Sequence, residues 1–413
     1  MESPDPMTKA ILKIRALFVS GLCAIVAALL VSVPANAVDI QRVVSPGGIE
    51  AWLVEDHTVP LIALNFSMNG GSSQDPAGKE GLTRLLSATL DEGAGDYSSE
   101  AFQGKLEELA VSISFSTGKD YFYGNLRTLT ATRDEAFDLL SIAVNEPRFD
   151  AEAVDRMKAR LSASARRNTQ EPNAVAGTNL MKAMLGGHPY AHRTGGTEES
   201  LSTLSPEDLR THRQKLFARA SLKVGVVGSI DAATLGPLLD KVFAALPEST
   251  NLSPVPDVEA AAGERVAAHL PVPQTTLLFG LPGLKRDDPD YQAAYVMNHI
   301  LGGGSFTSWL YEEVREKRGL TYGVSTYLSP YDASGLMLGS VATRADRADE
   351  TLRVILDQFD RMANEGPTQE ELDLAKRYIT GSYALRFDAS GKIARQLVAL
   401  QNAELGIDYF DRR

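Results

Sequence analysis

The chain has 413 residues, 44% hydrophobic and 23% charged, with no low-complexity tract; this is the composition of a globular protein, and the length exceeds one ordinary core, so two domains are expected. A formal net charge of -12 argues against nucleic acid and anionic membrane surfaces as partners, leaving a plain acidic surface or a preference for basic peptides. The single cysteine, Cys23, lies in the N-terminal apolar run, so the rest of the chain has no disulfide, thiolate metal site or cysteine nucleophile.

Lys9, Lys13 and Arg15 precede an apolar run from Ala16 to Val33, then Pro34 and the small-residue site Ala35-Asn36-Ala37. This predicts a secretory signal peptide over residues 1–37, cleaved before Val38, and a periplasmic protein. The run is long enough for an uncleaved inner-membrane anchor as the alternative, and Met7 serves equally as a start. From Val38 the pattern is mixed α and β. VVSPGGIEAWLV reads as a hairpin turning at Pro46-Gly47-Gly48. In PLIALNFSMNGG, Ile62, Leu64, Phe66 and Met68 alternate with smaller or polar residues, as in a half-buried strand. GKEGLTRLLSATLDEG reads as a helix with Leu82, Leu85, Leu86 and Leu90 on its core face.

SSEAFQGKLEELA then predicts a helix, and VSISFSTGKDYFYGNLRTL a hairpin turning at Gly118-Lys119. Two helices follow, around DEAFDLLSIAV and DAEAVDRMKARLSASA. His188 and His192 in HPYAH have the spacing of a helical zinc pair, but Pro189 forbids a regular helix, so a loop is expected. Ser205-Pro206-Glu207-Asp208 opens another helix, SLKVGVVGSI is a short buried strand and ATLGPLLDKVFAAL a helix. The first domain thus spans 38–247. Residues 248–263 have linker composition, and 264–413 form a second domain in which the plan repeats, with Glu135 aligned with Glu350. A domain-sized repeat is a duplication rather than a solenoid. The second copy stops before an equivalent of the helix and strand that close the first, so it reads as C-terminally truncated, with an exposed sheet edge.

In the second copy, LGGGSFTSWLYEEVREKRGLTYGV predicts a helix capped by Ser305, with Lys317 and Arg318 in its last turn and Gly319 as its stop. A strand follows with Tyr322 near its start. Arg318 and Tyr322 on adjoining elements suit a clamp for a peptide carbonyl or carboxylate; they equally suit a helix-end cation and an ordinary strand tyrosine.

That stretch resembles the second-domain signature of the M16 (pitrilysin/insulinase-like) zinc peptidases and their processing-peptidase relatives. The resemblance implies an α+β fold of two tandem domains, each a mainly antiparallel sheet packed with helices, arranged as a clam-shell. It also implies that Arg318 and Tyr322 bind the substrate backbone. In the family, GLxHFLEH supplies two zinc-binding histidines and a glutamate that acts on water. Laid on GLTRLLSA, that pattern puts Arg84 and Ala88 at the histidines and Ser87 at the glutamate, and these side chains give zinc no donor and water no base. The family's further zinc-binding glutamate has no counterpart in AVDRMKARLSASARRNTQ. The chain therefore reads as a pseudo-peptidase with no cofactor of its own. The expected partner is an HxxEH-containing M16 subunit holding the zinc, to which this chain lends Arg318 and Tyr322. An M16-like peptide-binding or assembly subunit with no catalytic part is the alternative.

Overall fold

The computed structural model describes residues 39–249 and 251–412, so the expected signal peptide, with Cys23, lies outside the described residues. Residues Ile40–Tyr409 form a compact α+β unit. The N-terminal hairpin is present as β1 (Gln41–Val44) and β2 (Glu50–Glu55), turning through Gly48 at φ +84°, a conformation open to glycine. Then come β3 (Leu61–Asn69), α1 (Leu82–Ser87), α2 (Ser99–Glu108), β4 (Ser112–Thr117), β5 (Tyr121–Leu129), α3 (Arg133–Asn145), α4 (Ala151–Asn168) and α5 (Pro172–Leu185). The first half closes with α6 (Pro206–Leu216), β6 (Lys223–Gly228) and α7 (Ala232–Phe243). Its strands form one sheet in the order β1-β2-β6-β3-β5-β4, in which β2 and β6 run parallel. Phe66 packs edge-on against Phe115 and Phe243 within the core beneath this sheet.

The second half contains β7 (Gln274–Pro282), α8 (Tyr291–Asn298), β8 (Thr321–Tyr331), β9 (Ser334–Arg344), α9 (Ala348–Asn364), α10 (Gln369–Gly381) and α11 (Ser390–Asn402). Its sheet runs β7-β9-β8, which repeats the order β3-β5-β4 of the first. β3 is paired on both edges, by β5 and β6, whereas among the described strands β7 pairs with β9 alone.

The halves exchange helices. α5 of the first lies on β7, and α11 of the second lies across β3 and β6. The approach of α11 is close: a Cβ on Gly225 would stand 2.5 Å from the Ala394 carbonyl oxygen. Gln401 Nε2 donates to the Val224 carbonyl at 2.9 Å, and Ser67 Oγ to Asn402 Oδ1 at 2.9 Å. This corrects the half-buried reading of β3, since every residue from Ile62 to Met68 is buried. Ala63, Asn65 and Ser67 are small or polar because a helix covers them, not because water does. Residues 251–273 carry no helix or strand, yet they are tied down. Val258 N donates to Ala333 O at 2.9 Å and Ala261 N to Met184 O at 2.8 Å. The tips of hairpins β4–β5 and β8–β9 also meet, where Tyr121 Oη donates to Asp332 Oδ1 at 2.9 Å.

Candidate functional site

The helix expected over GKEGLTRLLSATLDEG is shorter than its apolar pattern, ending at Ser87 with Ala88 as its C-cap. Its start is set by Asp75, whose carboxylate accepts from Gly81 N and Thr83 N, each at 2.8 Å. Thr83 Oγ1 lies 2.7 Å from His212 Nε2. Burial dominates both titratable groups, pushing the Asp75 carboxyl up to about 6 and the His212 imidazole down to about 4. The imidazole is therefore neutral at pH 7 and serves as a hydrogen-bonding strut.

Arg84, Ser87 and Ala88 do come together on the last turn of α1, but their groups are spent locally. Ser87 Oγ donates to the Arg84 carbonyl at 2.8 Å, and Arg84 Nη1 donates to Ser87 Oγ at 3.3 Å. Ala88 packs its methyl against the core. A guanidinium, a hydroxyl already hydrogen-bonded to the helix and a methyl do not fit zinc, which takes imidazole, thiolate or carboxylate. Among the described residues, no group of three or more His, Cys, Asp or Glu is disposed to hold a metal ion. His188 and His192 flank a 3-10 turn, Pro189–Ala191. His188 uses both ring nitrogens on backbone, Nδ1 accepting from Tyr190 N at 3.2 Å and Nε2 lying 2.9 Å from Pro256 O.

The stretch around Tyr322 departs from the expected helix. Ser305 makes no side-chain cap and sits at φ +51°. A 3-10 turn, Ser305–Thr307, is followed by a wide π-helical turn over Tyr311–Glu316. Gly319 does stop it, at φ +60°. β8 then carries a bulge, because Thr321 pairs with Thr343 and Val324 with Val341, leaving Tyr322 and Gly323 opposite Ala342 alone. Thr321 Oγ1 braces the bulge, donating to Ala342 O at 2.7 Å and accepting from Gly323 N at 3.1 Å. A bulge re-aims a side chain, and Tyr322 is 90% exposed.

Tyr322 borders a cavity of about 470 Å³ whose wall includes Gln274, Arg315, Glu316, Thr343 and Arg344. Arg318 does not line it. Instead Arg318 Nη1 donates to the Glu313 carboxylate at 2.6 Å and to the Glu313 carbonyl at 2.9 Å. Lys317 reaches the same carboxylate at 2.7 Å. Burial opposes ionisation of Glu313, but hydrogen bonds from Lys317 and Arg318 outweigh it and hold the carboxyl below its ordinary value. Arg315 lies 4.9 Å over the Tyr311 ring and pairs with Glu316. The guanidinium of this segment that lines the cavity with Tyr322 is thus that of Arg315, not of the Arg318 that the sequence singled out. Three cations crowd the hexapeptide VREKRG, and helical spacing does not distinguish them; the wide turn, with Lys317 N reaching back to Glu312 O at 2.9 Å, does. Arg344 was missed because it belongs to the far end of β9, adjacent to Tyr322 only through strand pairing.

Residues 52–198 match the model of the insulinase family, peptidase family M16, and residues 203–379 that of the peptidase M16 inactive domain. A solved M16 inactive domain from Pseudomonas fluorescens is 33% identical, with a TM-score of 0.84 over 91% of this chain and 90% of that one. A protease structure from Helicobacter pylori, 17% identical, shares the fold with a TM-score of 0.81 over 91% of this chain and 93% of its own. Among curated relatives, the non-peptidase homolog YmxG of Helicobacter pylori is 25% identical over 80% of this chain and 77% of its own length.

Proposed function

The chain belongs to the M16 (insulinase) peptidase family, and from that premise we propose that it is the non-catalytic subunit of a heterodimeric periplasmic zinc peptidase. The observation that carries this reading is a contrast between the two halves. The positions that would serve a metal are closed off by Arg84, Ser87 and Ala88, while Tyr322 is turned outward by a braced bulge over an open cavity. In this reading an HxxEH-containing partner holds the zinc and performs hydrolysis. This chain's part is to bind and orient the peptide. The Tyr322 phenol donates to the carbonyl oxygen on which negative charge develops, and the guanidinium of Arg315, which shares its cavity, holds a neighbouring carbonyl. The Arg315–Glu316 pair is exposed, and such pairs are worth little, so a ligand exchanges with it cheaply. Arg318, committed to Glu313, keeps the supporting turn in shape. Tyr322→Phe is expected to lower turnover by the assembled pair by roughly 10²- to 10³-fold, the cost of losing one such donor, with assembly unchanged in sedimentation. Unchanged turnover removes the role. An assembly subunit without catalytic part is the second reading, favoured by Arg315 and Arg318 both having carboxylate partners within the chain; it predicts full activity for Tyr322→Phe.

A further inference from the structure

Phe306 is 76% exposed, and slack chain does not explain its display. A Cβ on Gly302 would stand 2.5 Å from Thr326 Oγ1, one on Gly303 2.5 Å from Asn298 Nδ2, and one on Gly304 2.6 Å from the His299 carbonyl oxygen. The backbone of all three glycines is therefore pressed onto the end of α8 and onto β8. The chain leaves this packing through Ser305 at φ +51°, a left-handed conformation that is uncommon for residues with a side chain and persists where the surroundings impose it. Ser308 Oγ donates to the Ser305 carbonyl at 2.9 Å and Thr307 Oγ1 to that of Gly304 at 3.1 Å, closing the turn that holds the ring out.

Phe306 meets Tyr311 edge-on at 5.0 Å and 84°, and the Tyr311 ring carries the Arg315 guanidinium at 4.9 Å. Arg315 in turn lines the Tyr322 cavity. Phe306 is thus the outer end of a continuous row running to that cavity. An exposed aromatic ring backed by the buried Tyr311 ring and the part-exposed Arg315 guanidinium has the composition of a binding hot spot. The guanidinium already on Tyr311 disfavours a basic side chain there, whereas an apolar one gains the ring face without penalty.

We propose that Phe306 is a specificity-determining residue that receives a bulky apolar side chain of the peptide whose backbone Tyr322 holds. The inference rests on the reading of the cavity as a peptide-backbone site. Two fluorescein-labelled peptides of one Gly/Ser/Thr sequence, differing by Leu or Ala at a single position, are titrated into the purified chain and followed by anisotropy. The Leu peptide is expected to bind roughly fivefold more tightly. Phe306→Ala brings that ratio to one; Phe306→Leu, which keeps an apolar contact, retains most of the preference. Tyr322→Ala weakens both peptides alike. A ratio of one in the wild type, or a ratio that survives Phe306→Ala, overturns the inference while leaving the Tyr322 reading intact. Peptides that do not bind, or bind indifferently to Tyr322→Ala, overturn that reading and the inference with it. Benzoylphenylalanine placed at position 306 is expected to crosslink to the labelled Leu peptide; a crosslink only to a second copy of the chain also overturns it.

Discussion

Arg84, Ser87 and Ala88, which offer zinc no donor, sit at the end of a well-formed helix. The buried carboxylate of Asp75 sets the start of α1, and His212 braces Thr83. At the last turn of that helix, where Ser87 is buried, Arg84 and Ser87 satisfy one another. The brace has a pH signature. Burial lowers the folded pKa of His212 from 6.5 to about 4, so its contribution is complete above pH 6.5 and is lost as pH falls towards 4. Asp75, raised to about 6, works in the opposite sense, since its ionisation costs stability as pH rises from about 4 to 6. His212→Gln removes the first contribution. Thermal melts between pH 6.5 and 4.5 are expected to fall less steeply for the variant than for the wild type; equal slopes would mean that the imidazole takes up its proton without cost. That Arg84, Ser87 and Ala88 offer zinc no donor is legible in the sequence, because it is a matter of residue type alone. Which guanidinium borders the Tyr322 cavity is not legible there, because Arg315 and Arg318 sit in one short charged run and only a π-helical turn decides between them.

Among the elements, α11 says most about what a local pattern cannot reveal. The alternation in β3 is genuine, with Leu64 and Phe66 buried in the core and Ala63 and Ser67 on the other face. Yet the second face is dry, because a helix from the other half of the chain covers it. Nothing in PLIALNFSMNGG announces that helix, and burial of small residues under a long-range neighbour is invisible to a periodicity of two. The hairpins β1–β2 and β4–β5, by contrast, follow from turn signals that the sequence displays, whereas the parallel pairing of β2 with β6 does not. Gly225→Val places a branched side chain where a Cβ already falls 2.5 Å from the Ala394 carbonyl oxygen and 2.9 Å from Leu397 Cβ. Forcing extra volume into such packing costs about 1–3 kcal/mol. Urea unfolding is expected to report a loss of that size, with faster limited proteolysis just before Ser390. A midpoint and cleavage rate like those of the wild type would show that α11 does not need this close approach.

At the scale of the whole molecule, the exchanged helices and the packed segment 251–273 join the two halves into one compact unit. Among the described residues no helix is long and apolar enough to cross a membrane. The division of labour proposed for this architecture is that a partner cleaves while this chain holds, and the stoichiometry of hydrolysis tests it most directly. A fixed total concentration of this chain and an HxxEH-containing M16 subunit is mixed at varied ratio, and peptide cleavage is followed at each. Negligible hydrolysis by this chain alone, little by the partner alone and a maximum at equimolar mixing are expected. Cleavage by this chain in isolation, or a mixed rate no greater than the partner's own share, would contradict it.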